Sequence, residues 1–362
     1  MRRSLATLSI SLLLAGASPA LAQVRATLPG SIVESASVGG AERQQIDSFV
    51  ASLGEAAMGN DAEAAVKARL ELIVPLRENR PSVSFRQAYA RSASNLLDTM
   101  LGSEDPSARI AGLRLAGNLA TGDTADRISA ALKDPDAGVR VFAGTQARRI
   151  FEVSAANGPA LTDAQAADVV LATVNALKTS SNPVVSQTLI RALTVAAQTR
   201  GNDLAASRTR AVLGLSTAMS AQVGAVSPAE IDALQDSILI ASNAMTRALS
   251  DPGVNMSNDN ARAAAEMGGD ILAILLTREI EGLNDDNTAD IRLLRSAESL
   301  VYFARRRQVE NAKGNPSNVP QTDLAGQLER GDRGFRTEIV KLIGPGSSML
   351  RDFGLADDRF IK

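Results

Sequence analysis

Apolar residues recur at spacings of three and four along most of the chain, which is typical of amphipathic helices rather than strands. The clearest stripe follows Ser227 and consists of Ile231, Leu234, Ile238, Ala241, Met245 and Ala248. Such spacing places its members on one helical face. Helices are predicted at about 43–58, 61–79, 83–101, 107–120, 124–132, 137–152, 163–179, 183–200, 203–222, 228–250, 259–282 and 287–312. The pattern therefore predicts an all-α protein.

Turn and cap residues separate these predicted helices. Thr162-Asp-Ala-Gln165 and Ser227-Pro-Ala-Glu230 each combine an N-cap hydroxyl with a side chain that can bond back to it three residues later. Gly268-Gly269 interrupts a strong helical pattern, and no strand precedes it. We therefore expect close helix packing or a kink there rather than a phosphate-binding loop.

One segment occurs twice, thirty-one positions apart. The segment from Leu101 to Ile110 aligns without a gap on the segment from Leu132 to Val141. The register continues, with Ala116 over Ala147 and Leu119 over Ile150. A repeat of this length indicates a supersecondary unit that buries its apolar face by stacking on its neighbours.

The second copy, Leu132-Lys-Asp-Pro-Asp-Ala-Gly-Val-Arg-Val-Phe-Ala, resembles the consensus of HEAT repeats, in particular the short HEAT-like units of phycobilisome-lyase type. The resemblance implies an α-solenoid of stacked antiparallel helix pairs with a right-handed superhelix. It also implies that Asp134 or Asp136, together with Arg140, forms a turn and a polar ladder between adjacent repeats. Asp105 and Arg109 would do the same one repeat earlier. These roles are structural.

The resemblance is clear over about residues 100–152 and fades on either side. Leu177-Lys-Thr-Ser-Ser-Asn-Pro-Val-Val-Ser186 is similar to a third copy, but Ser186 stands where the arginine is expected. A fourth begins at Leu249-Ser-Asp-Pro-Gly-Val254 and then continues into Asn255-Met-Ser-Asn-Asp-Asn260. This departure predicts a loop insertion or the end of the regular array, and beyond about residue 200 the repeat type stays open.

Four regions are predicted along the chain. Residues 1–22 have the basic start, short apolar run and Ala20-Leu-Ala22 ending of a signal peptide, so we expect cleavage between Ala22 and Gln23 and a periplasmic or secreted, bacterial protein. Residues 23–42 form a predicted flexible or loosely docked leader, and 43–312 the helical-repeat domain. Residues 313–362 form a connector and capping segment, with a free peptide arm as the alternative.

The composition restricts the chemistry of any site. The chain has no cysteine and no histidine. It therefore lacks disulfides, conventional zinc, copper or haem ligands, and the groups for Ser-His-Asp or Cys-His catalysis. Aromatic residues make up only 3% of the chain, which argues against a site for sugars or single-stranded nucleic acid. The formal net charge is −2, which gives no reason to expect nucleic acid or an anionic membrane as a partner. Carboxylate, lysine or hydroxyl chemistry and oxygen-bound calcium or magnesium remain open.

Three acidic segments are weighed as sites. Asn284-Asp-Asp-Asn-Thr-Ala-Asp290 is rich in oxygen ligands, but it lacks the central glycine and distal glutamate of an EF-hand loop, so helix-start roles are favoured over calcium binding. Glu279 and Glu281, and likewise Asp357 and Asp358, are too close in sequence to flank one bond from the same helical face. Solvated carboxylates are the expectation for both pairs.

Arg305-Arg306-Arg307 is the longest run of one charge. It lies within a predicted helix, and charge runs of this kind usually form a solvated face, which we expect here. A docking patch for an acidic partner is the alternative.

No residue is therefore assigned a catalytic, cofactor-binding or metal-binding role. The sequence favours an exported, non-enzymatic helical-repeat scaffold that binds a protein or peptide partner in the cell envelope, with no cofactor, no nucleic acid and no stable membrane insertion. A carboxylate-based hydrolase on an α/α scaffold and a purely structural envelope component are the alternatives.

Overall fold

The computed structural model describes residues 27–77, 80–283, 287–332 and 334–361, and this part of the chain is all-α. Helix accounts for 76% of the structure, and the described residues contain no strand, only one isolated bridge between Thr121 and Ala160. The predicted fold class is confirmed at this level. The signal-peptide segment, residues 1–22, lies outside the described residues.

The described residues form eighteen α-helices and two 3-10 helices. The first nine α-helices are α1 (Gly30–Val33), α2 (Gly40–Met58), α3 (Ala62–Glu71), α4 (Val74–Arg77), α5 (Val83–Ser92), α6 (Ser94–Leu101), α7 (Pro106–Leu119), α8 (Gly122–Ala131) and α9 (Ala137–Asn157). The others are α10 (Asp163–Thr179), α11 (Pro183–Ala197), α12 (Ala205–Ala225), α13 (Gln235–Ser250), α14 (Asn258–Ile280), α15 (Asn287–Asn311), α16 (Leu324–Glu329), α17 (Gly334–Ile343) and α18 (Ser348–Phe353). The 3-10 helices are Pro228–Leu234 and Pro316–Asn318.

From α7 onward, each long helix packs against the helix two positions further along the chain. Helices α7, α9, α11, α13 and α15 contact one another in that order and form the first layer. Helices α8, α10, α12 and α14 do the same and form the second layer. Successive helices pack across the two layers, so one continuous apolar core runs between them.

Short polar side chains cap the N-termini of α7, α9 and α11 in the first layer. Asp105 accepts hydrogen bonds from the backbone N–H groups of Ser107 and Ala108, at 2.9 and 3.2 Å. Asp136 begins α9 and Asn182 begins α11 in the same way. The predicted capping box at Thr162 and Gln165 is present at the start of α10. These caps satisfy N–H groups that have no partner within the helix.

Small residues bring the helices close together. A Cβ atom on Gly268 would lie 2.6 Å from Val301 Cγ2 of α15, and one on Gly269 would overlap the Phe360 ring. The glycine pair therefore allows close packing, as predicted. Leu119 and Ile150 are fully buried at equivalent places in the two copies, and so are Ala116 and Ala147.

The predicted leader and the predicted helix at 228–250 differ from the structure. Leu28, Ile32, Val33 and Val38 belong to the core, so the described part of residues 23–42 is packed rather than a flexible leader. These apolar side chains provide the burial that a disordered segment lacks. The predicted helix at 228–250 begins instead with a 3-10 turn, and the Ser227 hydroxyl bonds to the Glu230 carboxylate rather than to the backbone.

The C-terminal residues pack on α14. Arg359 donates to both carboxylate oxygens of Asp270, at 2.6 and 3.0 Å, and this pairing raises the pKa of Arg359. The Arg359 guanidinium also lies 4.7 Å from the centre of the Phe360 ring, which rests on Gly269. The end of the described chain therefore docks on this protein's own second layer.

Candidate functional site

In α7 and α9, the arginine four positions after the N-cap binds the preceding turn. Arg109 donates to the carbonyls of Ser103 and Glu104, at 2.9 and 3.1 Å. Arg140 donates to the carbonyls of Asp134 and Pro135, at 2.7 and 2.9 Å. In both copies these carbonyls lie two positions and one position before the N-cap. The predicted structural role of the two arginines is therefore present.

Arg109 also joins one repeat to the next. Its Nε lies 2.9 Å from Asp134 Oδ2 in the following turn, and both side chains are largely buried. Asp134 in turn accepts a hydrogen bond from the backbone N–H of Asp136. The polar ladder that the resemblance implied thus includes Asp134, while Asp136 caps its own helix.

The expectation for Arg305-Arg306-Arg307 is wrong, because this run is not a solvated face. Arg305 pairs with Asp352 at 2.9 Å. Arg307 is buried and donates to the carbonyls of Leu249 and Asp251 at the end of α13. Only Arg306, half-buried over Tyr302 and Phe303, lies near the surface. Packing of α15 against α13 and α18 accounts for the difference, because it covers two of the three side chains.

The acidic segments do not assemble a site. Residues 284–286 of the segment weighed for calcium binding lie outside the described residues, and Asp290 is buried next to Arg278. Glu279 pairs with Arg336, whereas Asp357 accepts from the backbone N–H of Gly346. Within the described ranges, no group of three acidic side chains is arranged to hold a metal ion.

A cleft between α7 and α9 has an excess of basic side chains in its lining. It has a volume of about 260 Å³ and is lined by Arg77, Arg114, Asn118, Thr145, Gln146, Arg148, Arg149 and Glu152. The lining thus carries four guanidinium groups and one carboxylate. Guanidinium groups bind carboxylates and phosphates through paired hydrogen bonds, so this cleft suits an anionic group.

The cleft is held in shape by its own polar contacts. Arg149 donates to Asn118 Oδ1 from Nε and Nη2, both at 3.3 Å, and Asn118 donates back to the carbonyl of Arg114 at 2.8 Å. Arg148 lies 3.1 Å from Glu152. Arg114 stacks over the Phe142 ring at 5.3 Å. Arg148 and Arg149 each keep 37% of the side chain exposed, so both stay accessible to a ligand.

The cleft belongs to a wider basic face on the first layer. Half-buried or exposed arginines occur on each of its five helices, namely Arg114, Arg148, Arg149, Arg191, Arg247 and Arg306. The five helices of this layer carry twelve basic and five acidic residues, against six basic and eight acidic in the second layer. The near-neutral total charge therefore conceals a separation of charge between the layers.

Sequence reasoning missed this face because it considered runs of charge. The available signal was the spacing from each N-cap. Arg114 and Arg191 both lie nine positions after their N-caps, Asp105 and Asn182, and therefore occupy equivalent places on their helices. Aligning the helices by their N-caps would have shown that these two arginines are equivalent, although not the whole face.

The described helices were also compared with the requirements of a bilayer. None of them combines the length and apolar character that a membrane span requires.

Comparisons with known proteins give no family. No protein-family model matches the chain, and no curated protein matches it. Among solved structures, the chain is similar to two crystal structures described as engineered proteins. The first is 16% identical, with 72% of this chain and 97% of the other covered, at a TM-score of 0.42. The second is 14% identical, with 92% and 94% covered, at a TM-score of 0.31. Neither likeness is close enough to carry a functional conclusion.

Proposed function

We propose that this protein is a non-catalytic helical-repeat scaffold of the cell envelope whose basic face binds an acidic segment of a partner protein. The observation that carries the proposal is the row of accessible arginines on one layer, with the arginine-lined cleft between α7 and α9 at one end of it. A partner segment rich in aspartate or glutamate matches this charge.

We further propose that the two layers form a HEAT-like α-solenoid. Its support is the packing of each helix on the helix two positions along, together with the Arg109–Asp134 contact between consecutive repeats. In a solenoid, one layer lines an extended concave surface that suits long partners. The first layer, which carries the basic face, is the proposed binding surface.

The proposed location outside the cytoplasm follows from the leader sequence alone. Residues 1–22 have the charge, length and small-residue ending of a signal peptide. Amino-terminal sequencing of the protein recovered from a bacterial periplasm tests this part, since cleavage after Ala22 gives a chain that starts at Gln23.

An acidic peptide tests the binding proposal. The probe is a fluorescein-labelled peptide with six glutamates, and its fluorescence anisotropy is followed as the protein is added. Replacing Arg114, Arg148 and Arg149 with glutamine should weaken binding by at least about tenfold, because about 1.4 kcal/mol lost from charge-assisted hydrogen bonds gives that factor. Raising the salt concentration should weaken the wild-type interaction as well.

A matched control distinguishes binding at the basic face from a general response of the peptide to the protein's total charge. Lys178, Arg210 and Arg262 are exposed on the second layer, and changing them to glutamine removes the same number of charges. This control should bind the peptide nearly as well as the wild type. Equal losses in both triple variants would show that the peptide responds to net charge alone and would overturn the proposed site.

Pull-down from envelope extracts separates a scaffold from a permanent structural component. A scaffold should release its partner on dilution or in high salt, whereas a structural component should keep it in fixed stoichiometry. Loss of the captured partner in the first-layer triple variant, with retention in the second-layer control, is the expected result.

A further inference from the structure

Two grooves at corresponding places between neighbouring helices of the first layer differ in the side chain four positions after the N-cap. The first lies between the N-terminal ends of α7 and α9 and is lined by Asp98, Leu101, Arg109, Arg127, Ala130, Ala131, Lys133, Asp134 and Val139. The other lies between the N-terminal ends of α11 and α13, next to the C-terminal end of α12. We call them the α7–α9 groove and the α11–α13 groove.

Arg109 lines the α7–α9 groove, whereas Ser186 occupies the corresponding place in the other. Both residues lie four positions after the N-cap, which is Asp105 in one case and Asn182 in the other. The volume is about 330 Å³ in the groove with arginine and about 530 Å³ in the groove with serine. The smaller side chain therefore leaves room for a group from outside.

The polar groups that bind Arg109 have counterparts in the α11–α13 groove. Arg109 donates to carbonyls two positions and one position before its N-cap, and the corresponding carbonyls are those of Ser180 and Ser181. In the described part of the chain, no side chain donates to either of these carbonyls. Asp236 also lines this groove and supplies a carboxylate, as Asp134 does in the α7–α9 groove.

The charge balance of the two grooves also differs. Two carboxylates line each of them, Asp98 and Asp134 in one, Asp232 and Asp236 in the other. The α7–α9 groove adds three basic side chains, whereas the lining of the α11–α13 groove has none. Asp232 is engaged by Arg278 at 2.8 Å, but Asp236 forms no ion pair with any described residue.

We propose that the α11–α13 groove binds an arginine side chain of a partner protein, in the position that Arg109 fills within the chain. The planar guanidinium group can donate to two adjacent carbonyls and a carboxylate at once, as Arg109 does, which an ammonium group on lysine matches less well. The site is separate from the basic face and takes a ligand of the opposite charge.

The probe is the peptide acetyl-Gly-Arg-Gly-amide, titrated into the ¹⁵N-labelled protein while backbone amide shifts are recorded. Saturable shift changes are expected at residues 180–187 and 232–237, and none at residues 103–109, where Arg109 already occupies the groove. The citrulline peptide, which keeps the shape but lacks the charge, should bind at least about fivefold more weakly.

Variants test the site from both sides. Ser186→Arg should abolish the shifts by filling the groove from within, and Ser186→Ala should leave them unchanged. Asp236→Asn should weaken binding at least about fivefold. Arg109→Ser should add a second set of shifts at residues 103–109, because it opens the equivalent groove.

The proposal is overturned if the wild type shows no saturable shifts, if the citrulline peptide binds equally well, or if the shifts persist in a folded Ser186→Arg variant. Should Ser186→Arg fail to fold, unchanged binding by Asp236→Asn overturns it instead. Because this probe is cationic and the basic-face probe is anionic, failure of one proposal is distinguishable from failure of the other.

Discussion

The interface between α7 and α9 and the interface between α11 and α13 show two ways to make the same helix contact. At the first, Arg109 binds the turn before its helix and the carboxylate of the next repeat. At the second, Ser186 leaves those groups without an arginine, yet the helices still pack side by side. Stacking therefore depends on the apolar faces, and the arginine stabilises the turn.

The opposite, C-terminal ends of these helices are alike in both regions. Arg86 is fully buried and donates to the carbonyls of Leu119 and Ala120 at the end of α7, and to those of Asn157 and Gly158 at the end of α9. Burial lowers the pKa of Arg86 to about 10, so it stays charged at neutral pH. Arg208 binds the carbonyls of Thr199 and Gly201 after α11. Cations at these ends also complement the helix dipole.

The largest expected loss of stability tests whether burial of the apolar faces stabilises both interfaces. Ile150→Asp in α9 and Leu193→Asp in α11 should each cost about 4 kcal/mol or more, because each places a carboxylate in the apolar core. Leu119→Asp should behave like Ile150→Asp, since Leu119 is equally buried. Urea unfolding followed by circular dichroism measures the loss.

Leu171→Asp is the control for these core variants, because Leu171 lies in α10 with 48% of its surface exposed. It should change stability by less than about 0.5 kcal/mol. A small loss for Ile150→Asp beside a large one for Leu193→Asp, or the reverse, would contradict the equal role of the two apolar faces.

The next effect in size concerns the C-terminal ends. Arg86→Met should cost about 3 kcal/mol, because it leaves buried carbonyls at the ends of two helices without donors. Arg208→Met should cost somewhat less, since Arg208 serves the end of one helix. Arg91→Met, at an exposed position of the same helix as Arg86, is the control. Thermal unfolding of the three variants gives the order, and a loss for Arg91→Met as large as for Arg86→Met would contradict it.

A smaller effect distinguishes the two N-terminal ends directly. Arg109→Ala should cost about 1–2 kcal/mol, because it removes charge-assisted hydrogen bonds from a partly buried turn. Ser186→Ala should cost less than about 0.5 kcal/mol, since Ser186 is not part of such a network. Urea unfolding of both variants makes the comparison, and equal losses would show that the arginine adds nothing to the turn.

Periodicity was sufficient to predict most helices, and the reason is physical. The apolar stripe after Ser227 is buried as predicted except for the half-buried Leu234, because burial of such a stripe determines the helix face. Breaks within helices were missed, such as the one at Ala93 between α5 and α6. No glycine or proline marks that break, so the local sequence carried no signal for it.

The basic face and the α11–α13 groove depend on contacts between segments far apart in sequence. Arg305 was predicted to be solvated because nothing nearby in sequence shows that Asp352 covers it. Ser186 was recognised as a departure from the repeat, but the open groove beside it requires residues of α12 and α13 as well. Local patterns therefore predict the elements, whereas the sites arise from their packing.

The smallest expected effect compares the N-caps of α7 and α11, which are charged in one case and neutral in the other. The pKa of Asp105 lies below its usual value, mainly because its carboxylate accepts a hydrogen bond from the backbone N–H of Ser107. A second backbone hydrogen bond, from Ala108, lowers the pKa to a smaller extent. A carboxyl whose pKa is lower in the folded state adds stability above its unfolded pKa, and that stability is lost as the pH falls through the folded value. Asp105→Ala should therefore cost about 1 kcal/mol at pH 7 and progressively less below about pH 4. Asn182→Ala should cost a similar amount of stability at pH 7 and below about pH 4, because an amide cap does not titrate. Urea unfolding of both variants at the two pH values measures the losses. If the two losses changed with pH in parallel, the charge of Asp105 would not be the source of the pH dependence.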